Sequence, residues 1–311
     1  MNLEDWLQKE YARELAFQAL DNRWDELFYP EVVRKILVDF IRPGSEVEDV
    51  IREIKNLSYN FSYLLMKVLA EDLLKVANEV ERLYSKGWDL KTELNNAIDE
   101  VKPILENILG ITLKAKPSLE LRPYDERSGN LGSHPPGTNK IIIYVTNINN
   151  VASLHIRKGV LAHELCHTIM NEVEAADWFR EGLAISLAIY AWEKLNKKNL
   201  ANDFFYFVYY GSKRLGLTKR LMRYRRFWIN VQNIIGIIGL ENIKFLIRQN
   251  SEVQDLLLEC TTSGLELVSR LIFREWLVNL IQKPTEEVKK SLERFLSSSH
   301  EERLKLLGEF E

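Results

Sequence analysis

Residues 163–167 read His-Glu-Leu-Cys-His, and this short run constrains the fold more than any other part of the chain. It lies within residues 158–174, KGVLAHELCHTIMNEVE, where Val160, Leu161, Leu165, Ile169 and Met170 recur at helical spacing and predict a buried helix. Side chains four apart on a helix point about 40° apart around the axis and sit one turn up, so two imidazoles can close on a single ion. Glu164 projects about 100° from His163, out of reach as a third ligand but able to reach a metal-activated water. Cys166 faces away from both histidines and reads as core filling. A structural helix with hydrogen-bonded core histidines would carry the same letters, so the run needs support from elsewhere in the chain.

That support comes from residues 178–184, WFREGLA. A catalytic zinc takes three protein ligands and leaves a fourth position for water, and Glu181 is placed to be the third. The stretch after His167 is long enough to finish the first helix, turn around Ala175 to Asp177, and return a second helix alongside it. Gly182 then removes a side chain where those two helices are expected to approach near the metal.

HELCH followed by W-x-x-E-G-x-A resembles the gluzincin metallopeptidases, the broad group containing thermolysin and the aminopeptidase-N-like enzymes, over about residues 140–250. The resemblance implies thermolysin-like active-site helices and one zinc ion per chain on His163, His167 and Glu181, with Glu164 polarising water. It further implies that residues 140–146 form an edge strand aligning the peptide, and that a downstream Tyr or His stabilises the oxyanion. Tyr206, Tyr209, Tyr210 and Tyr224 are the candidates. Tyr224 is chosen because the oxyanion tyrosine of aminopeptidase-N-like sequences begins a helix ending in Gly and an acidic turn, matched here by residues 224–239 followed by Leu240, Glu241 and Asn242.

Several positions depart from the family pattern. Phe227 stands where the family has a small residue, and Ile185 where thermolysin-like enzymes have Asp. The motif that recognises a free amino terminus is not recognisable, so endopeptidase action is preferred to aminopeptidase action. Asn171, one turn beyond His167, is either an orienting partner for an imidazole or a solvated side chain. The expected chemistry has zinc lowering the pKa of a water, Glu164 taking its proton and later passing it to the leaving amine, and Tyr224 donating to the tetrahedral oxyanion. The alternatives are a non-catalytic, zinc-stabilised scaffold or interaction protein, marked by a blocked cleft, and zinc hydrolysis of a non-peptide bond.

The rest of the chain predicts an α+β, mainly helical protein. Residues 1–110 show helical periodicity, as in Leu64, Leu65, Val68 and Leu69 and then Leu73, Val76, Val80 and Leu83. With Pro30, Pro43, Gly87 and Asp89 as punctuation, they predict a bundle of four or five helices. Residues 111–311 form the expected catalytic domain: a small sheet over 111–147, active-site helices over 153–195 and a helical lobe over 200–311. Strands are expected at 111–122 and 140–146, with a loop at 124–139 whose His134 reads as solvated rather than as a ligand. Helix breaks are expected at 196–202, 211–218 and 282–285.

At 311 residues and 46% hydrophobic, the chain can bury a substantial core, and its net charge of −3 argues against a wholly basic nucleic-acid binder. The basic cluster Lys213, Arg214, Lys219, Arg220, Arg223, Arg225 and Arg226 reads as a solvated face, with acidic-substrate binding as the sharper option. Trp228 and Trp276 read as core. Only Cys166 and Cys260 are present, no secretory signal is visible, and residues 231–240 are too short to span a bilayer, so a cytoplasmic setting is expected, while the resemblance implies a peptide or protein substrate.

Overall fold

The computed structural model describes residues 3–63, 66–124, 130–145, 153–210, 218–262 and 269–308. Leu64, Leu65 and Thr146 lie outside them, as does the break expected at 211–218 for residues 211–217. The protein is mainly helical with a small three-stranded sheet.

The first helices are α1 (Leu3–Arg23), α2 (Pro30–Phe40), α3 (Val47–Tyr63), α4 (Lys67–Ser85) and α5 (Leu90–Leu109). Pro30 opens α2, where its fixed φ suits the first turn and its missing N–H costs nothing. Asp89 caps α5 by accepting the Thr92 N–H at 2.9 Å, and Gly110 closes it in the left-handed conformation at φ +66°. Helices α1 to α4 bury Leu15, Val33, Val50, Ile54, Leu73, Val76 and Val80 in a core of their own. Helix α5 instead turns Leu94, Ile98, Val101 and Leu105 into a second core, shared with the sheet and everything that follows.

The sheet comprises β1 (Ser118–Pro123), β2 (Gly132–Ser133) and β3 (Lys140–Val145), in the order β1-β3-β2. Strand β1 runs parallel to β3 along its whole length, whereas β2 is antiparallel, with Gly132 opposite Ile143 and Ser133 opposite Ile142. The expectation that residues 140–146 form the edge strand is therefore wrong, because β3 is paired on both sides. Its buried run of Ile141, Ile142, Ile143 and Val145 is what a central strand requires. The edges are β1 and β2, the latter inside the segment expected to be loop. Of the strand expected at 111–122, only the part from Ser118 forms. The earlier part folds back on α5, where the Leu113 N–H donates to Glu106 Oε1 at 2.7 Å.

The second core continues through α6 (Ser153–Ile169), α7 (Asp177–Lys194), α8 (Lys198–Tyr210) and α9 (Thr218–Ile238). The short α10 (Ile243–Leu246) and then α11 (Ser251–Thr262), α12 (Ser269–Leu280), α13 (Thr285–Ser297) and α14 (His300–Gly308) complete it. Helix α6 stops at Ile169, earlier than the pattern of residues 158–174 suggests, and Asn196, with φ 63°, reverses the chain between α7 and α8. Trp276 is buried and stacked on Phe273 and Phe295. Neither cysteine is in a disulfide, and both are buried. No helix among the described residues is long and apolar enough to cross a membrane.

Candidate metal centre

Helices α6 and α7 bring His163, His167 and Glu181 to one point. The two Nε2 atoms lie 3.0 Å apart, and Glu181 Oε2 lies 3.2 Å from His163 and 3.4 Å from His167. Ligands about 2.0–2.1 Å from a tetrahedral zinc are separated by about 3.3 Å, so this triangle has the dimensions of one face of a zinc site. Glu181 Oε2 is shut off from solvent without a hydrogen bond of good geometry, as is His163 Nδ1. A buried carboxylate oxygen facing two ring nitrogens in this way is a donor set that an ion would satisfy, and the residues present fit zinc. Burial opposes the charge on Glu181, but the two imidazoles beside it more than compensate and hold its carboxyl well below the usual carboxylate range. Among the described residues these three form the group of metal-competent side chains.

Glu164 is not part of the triangle. It lines the adjoining cavity of about 80 Å³ with His163, Gly132, Ile185, Phe204 and Tyr224, and only 8% of it is exposed. Of the four tyrosines weighed for the oxyanion, Tyr224 is the one lining this cavity, its ring centroid 6.4 Å from that of His163. Tyr206 and Tyr210 are 55% and 67% exposed and stack on one another, and the Tyr209 hydroxyl accepts from Arg225 at 2.7 Å. Ile185 is buried at the cavity wall, so the position occupied by Asp in thermolysin-like enzymes here supplies apolar surface.

Gly182 does serve a close approach, but not the expected one between α6 and α7. A Cβ there would lie 2.4 Å from the Phe227 carbonyl oxygen and 2.7 Å from Val231 Cγ2, so the tight crossing is between α7 and α9. Gln232 reinforces it by donating to Ser186 Oγ at 2.9 Å. Because Glu181 precedes Gly182 and Tyr224 lies one turn before Phe227, this crossing sets the placement of Glu181 and Tyr224 together.

Gly132 escaped the sequence reading. A Cβ on it would meet Val160 Cγ1 at 2.5 Å and Glu164 Cγ at 2.8 Å, so only glycine lets β2 lie against α6 beside Glu164. The Tyr144 N–H donates to Leu131 O at 2.9 Å, which makes Gly132 a non-hydrogen-bonded position of the ladder and turns its own N–H and C=O away from β3. A glycine in a Gly- and Ser-rich segment carries no signal of this role, because the contact is made across the fold.

His134 stands outside the ligand group, as expected, but it is not solvated. Its ring is held by Lys140, Thr168 and Asn171. Asn171 accordingly orients His134 rather than a ligand imidazole. Cys166 is fully buried, and burial raises its thiol pKa far above the ordinary value. In the basic cluster, Lys213 and Arg214 lie outside the described residues, as do the side chains of Lys219 and Arg220. Arg225 stacks on the Tyr209 ring at 3.8 Å and Arg223 lies 5.0 Å from the Phe227 centroid, while Trp228 is half-buried against Phe205 and Tyr209. Compared with known families, curated proteins and solved structures, the chain matches none of them.

Proposed function

We propose that this chain is a zinc-dependent peptidase of gluzincin type, cutting within peptides in preference to trimming their amino termini. The observation that carries the reading is a triangle of three ligand-competent atoms whose His163 also lines the cavity that holds a second acid, Glu164, and a tyrosine, Tyr224. His163, His167 and Glu181 would hold the ion. When bound, zinc supplies the Lewis acidity that polarises a carbonyl and makes a water acidic. Glu164 lines the same cavity without belonging to the ligand triangle, which suits it to accept the proton of the attacking water and return it to the leaving amine. The Tyr224 hydroxyl is the donor for the oxyanion, and the N–H and C=O of Gly132, turned away from β3, offer an extended substrate main-chain pairing. Among the described residues a cavity stands beside Glu164, which supports an enzyme over a scaffold.

The test compares zinc content and digestion of a broad peptide library for the wild-type chain and Glu164→Gln. The variant is expected to keep its zinc and lose cleavage by about 10²–10⁴-fold, the usual worth of a positioned general base. Undiminished cleavage would remove Glu164 from the reaction. A chain that binds no zinc would end the proposal.

A further inference from the structure

Strand β2 is two residues long, and its pairing with β3 alone is too short to hold an edge firmly. Its position against Glu164 therefore needs a second anchor, and His134 directly follows it. The His134 Nδ1 lies 3.2 Å from both Lys140 O and Thr168 Oγ1, and its Nε2 lies 3.1 Å from Asn171 Oδ1. The Gly137 N–H donates to the same Asn171 oxygen at 3.1 Å, which fixes that atom as an acceptor and so makes His134 Nε2 the donor. In the neutral tautomer that donates from Nε2, Nδ1 accepts the Thr168 hydroxyl proton and the Lys140 carbonyl is only a close neighbour. Thr168, only 3% exposed, also places that hydroxyl 2.9 Å from the Glu164 carbonyl. The chain of bonds thus runs from the end of β2, through one imidazole, to the turn of α6 that carries Glu164.

Resting on the peptidase reading, we propose that His134 is a positioning residue. With Thr168 and Asn171 it fixes the substrate-pairing edge at Gly132 in register with Glu164, and so sets how an extended peptide presents its carbonyl. None of its hydrogen bonds goes to a metal ligand, so the anchor acts on the edge and not on the ion.

The experiment uses the full zinc-loaded chain and the variants His134→Ala and His134→Gln. For peptides long enough to pair along the edge, His134→Ala is expected to raise KM about tenfold, the worth of one or two buried hydrogen bonds, with kcat and zinc stoichiometry unchanged. Gln can donate to Asn171 and should restore part of the loss. Amide hydrogen exchange over residues 130–134 should accelerate in His134→Ala while that of 160–169 does not, a readout that needs no catalysis. Unchanged exchange at the edge, or zinc lost in step with activity, would overturn the anchor. If wild-type chain cleaves nothing while the edge still loosens in His134→Ala, the peptidase reading fails and the structural anchor stands.

Discussion

Glu181 and Tyr224 approach His163 from different helices, and their substitutions should separate binding from chemistry. Glu181→Gln keeps the shape but removes the charge that faces both imidazoles, so zinc affinity should fall on the order of 100-fold or more by competition with a chromogenic chelator. Tyr224→Phe removes only a hydroxyl. It should leave zinc content and KM near wild type and lower kcat by about 10²–10³-fold, whereas Tyr206→Phe and Tyr210→Phe, both on exposed side chains, should leave kcat unchanged. The grouping of His163, His167 and Glu181 was legible because its geometry is local: two histidines one turn apart, and a glutamate on the next helix beside a glycine. The place of Tyr224 at the cavity was anticipated through resemblance, since nothing in spacing alone separates it from its three neighbours. Gly132 and His134 were not, because each is defined by strand pairing and side-chain contacts across more than 25 positions in the chain.

Helix crossings divide in the same way. The glycine of EGLA announces a close approach, but a sequence does not say which helix approaches, and the partner is α9 rather than α6. Gly182→Ala would press a methyl group against the backbone oxygen of Phe227, which has no rotamer by which to yield, so α7 and α9 must separate. An overpacked crossing of this kind should cost about 1–3 kcal/mol in thermal or denaturant unfolding. Since the same crossing sets Glu181 and Tyr224, zinc affinity and kcat should fall together in this variant, unlike the separate effects of the two single-site changes. Wild-type zinc affinity in Gly182→Ala would show that α7 is held by its contacts with α6 alone. The sheet shows the opposite limit of legibility. β3 was found from its β-branched run, but its place in the sheet depends on a partner of two residues, too short to leave any alternation in the sequence.

At the level of the whole molecule, the two apolar cores are joined by buried charge where α1 crosses α6. Arg157 lies 2.8 Å from Glu14, and Lys158 donates to Glu93 at 2.6 Å and Gln18 at 3.2 Å. His155 Nε2 lies 2.5 Å from Asp21 on α1, and its Nδ1 lies 2.6 Å from Asp203 on α8, which in turn meets Arg34 of α2 at 2.7 Å. Spacing alone gives His155, Arg157 and Lys158 no partners; only the packing shows that they tie the amino-terminal bundle to the helix carrying His163. Burial works against the charged imidazole, but Asp21 and Asp203 outweigh it and raise the His155 pKa from 6.5 to about 9. Asp21 is shifted the other way: burial resists its ionisation, and His155, Lys158 and Asn199 pull its pKa below 3.8. A raised folded-state pKa means that the stability His155 contributes is fully present below about pH 6.5 and disappears as pH climbs through about 9. The lowered pKa of Asp21 means that its contribution is present above about pH 4 and is lost on acidification. The thermal midpoint of the wild-type chain should therefore hold between about pH 5 and 6.5 and decline from about pH 7 to 10. His155→Gln should melt lower at pH 6 and show a shallower alkaline decline, so that the two curves converge near pH 10, a comparison that cancels the other groups titrating in that range. Parallel curves across the alkaline range would mean that the imidazole is uncharged in the folded chain and that the other ion pairs alone hold the two cores together.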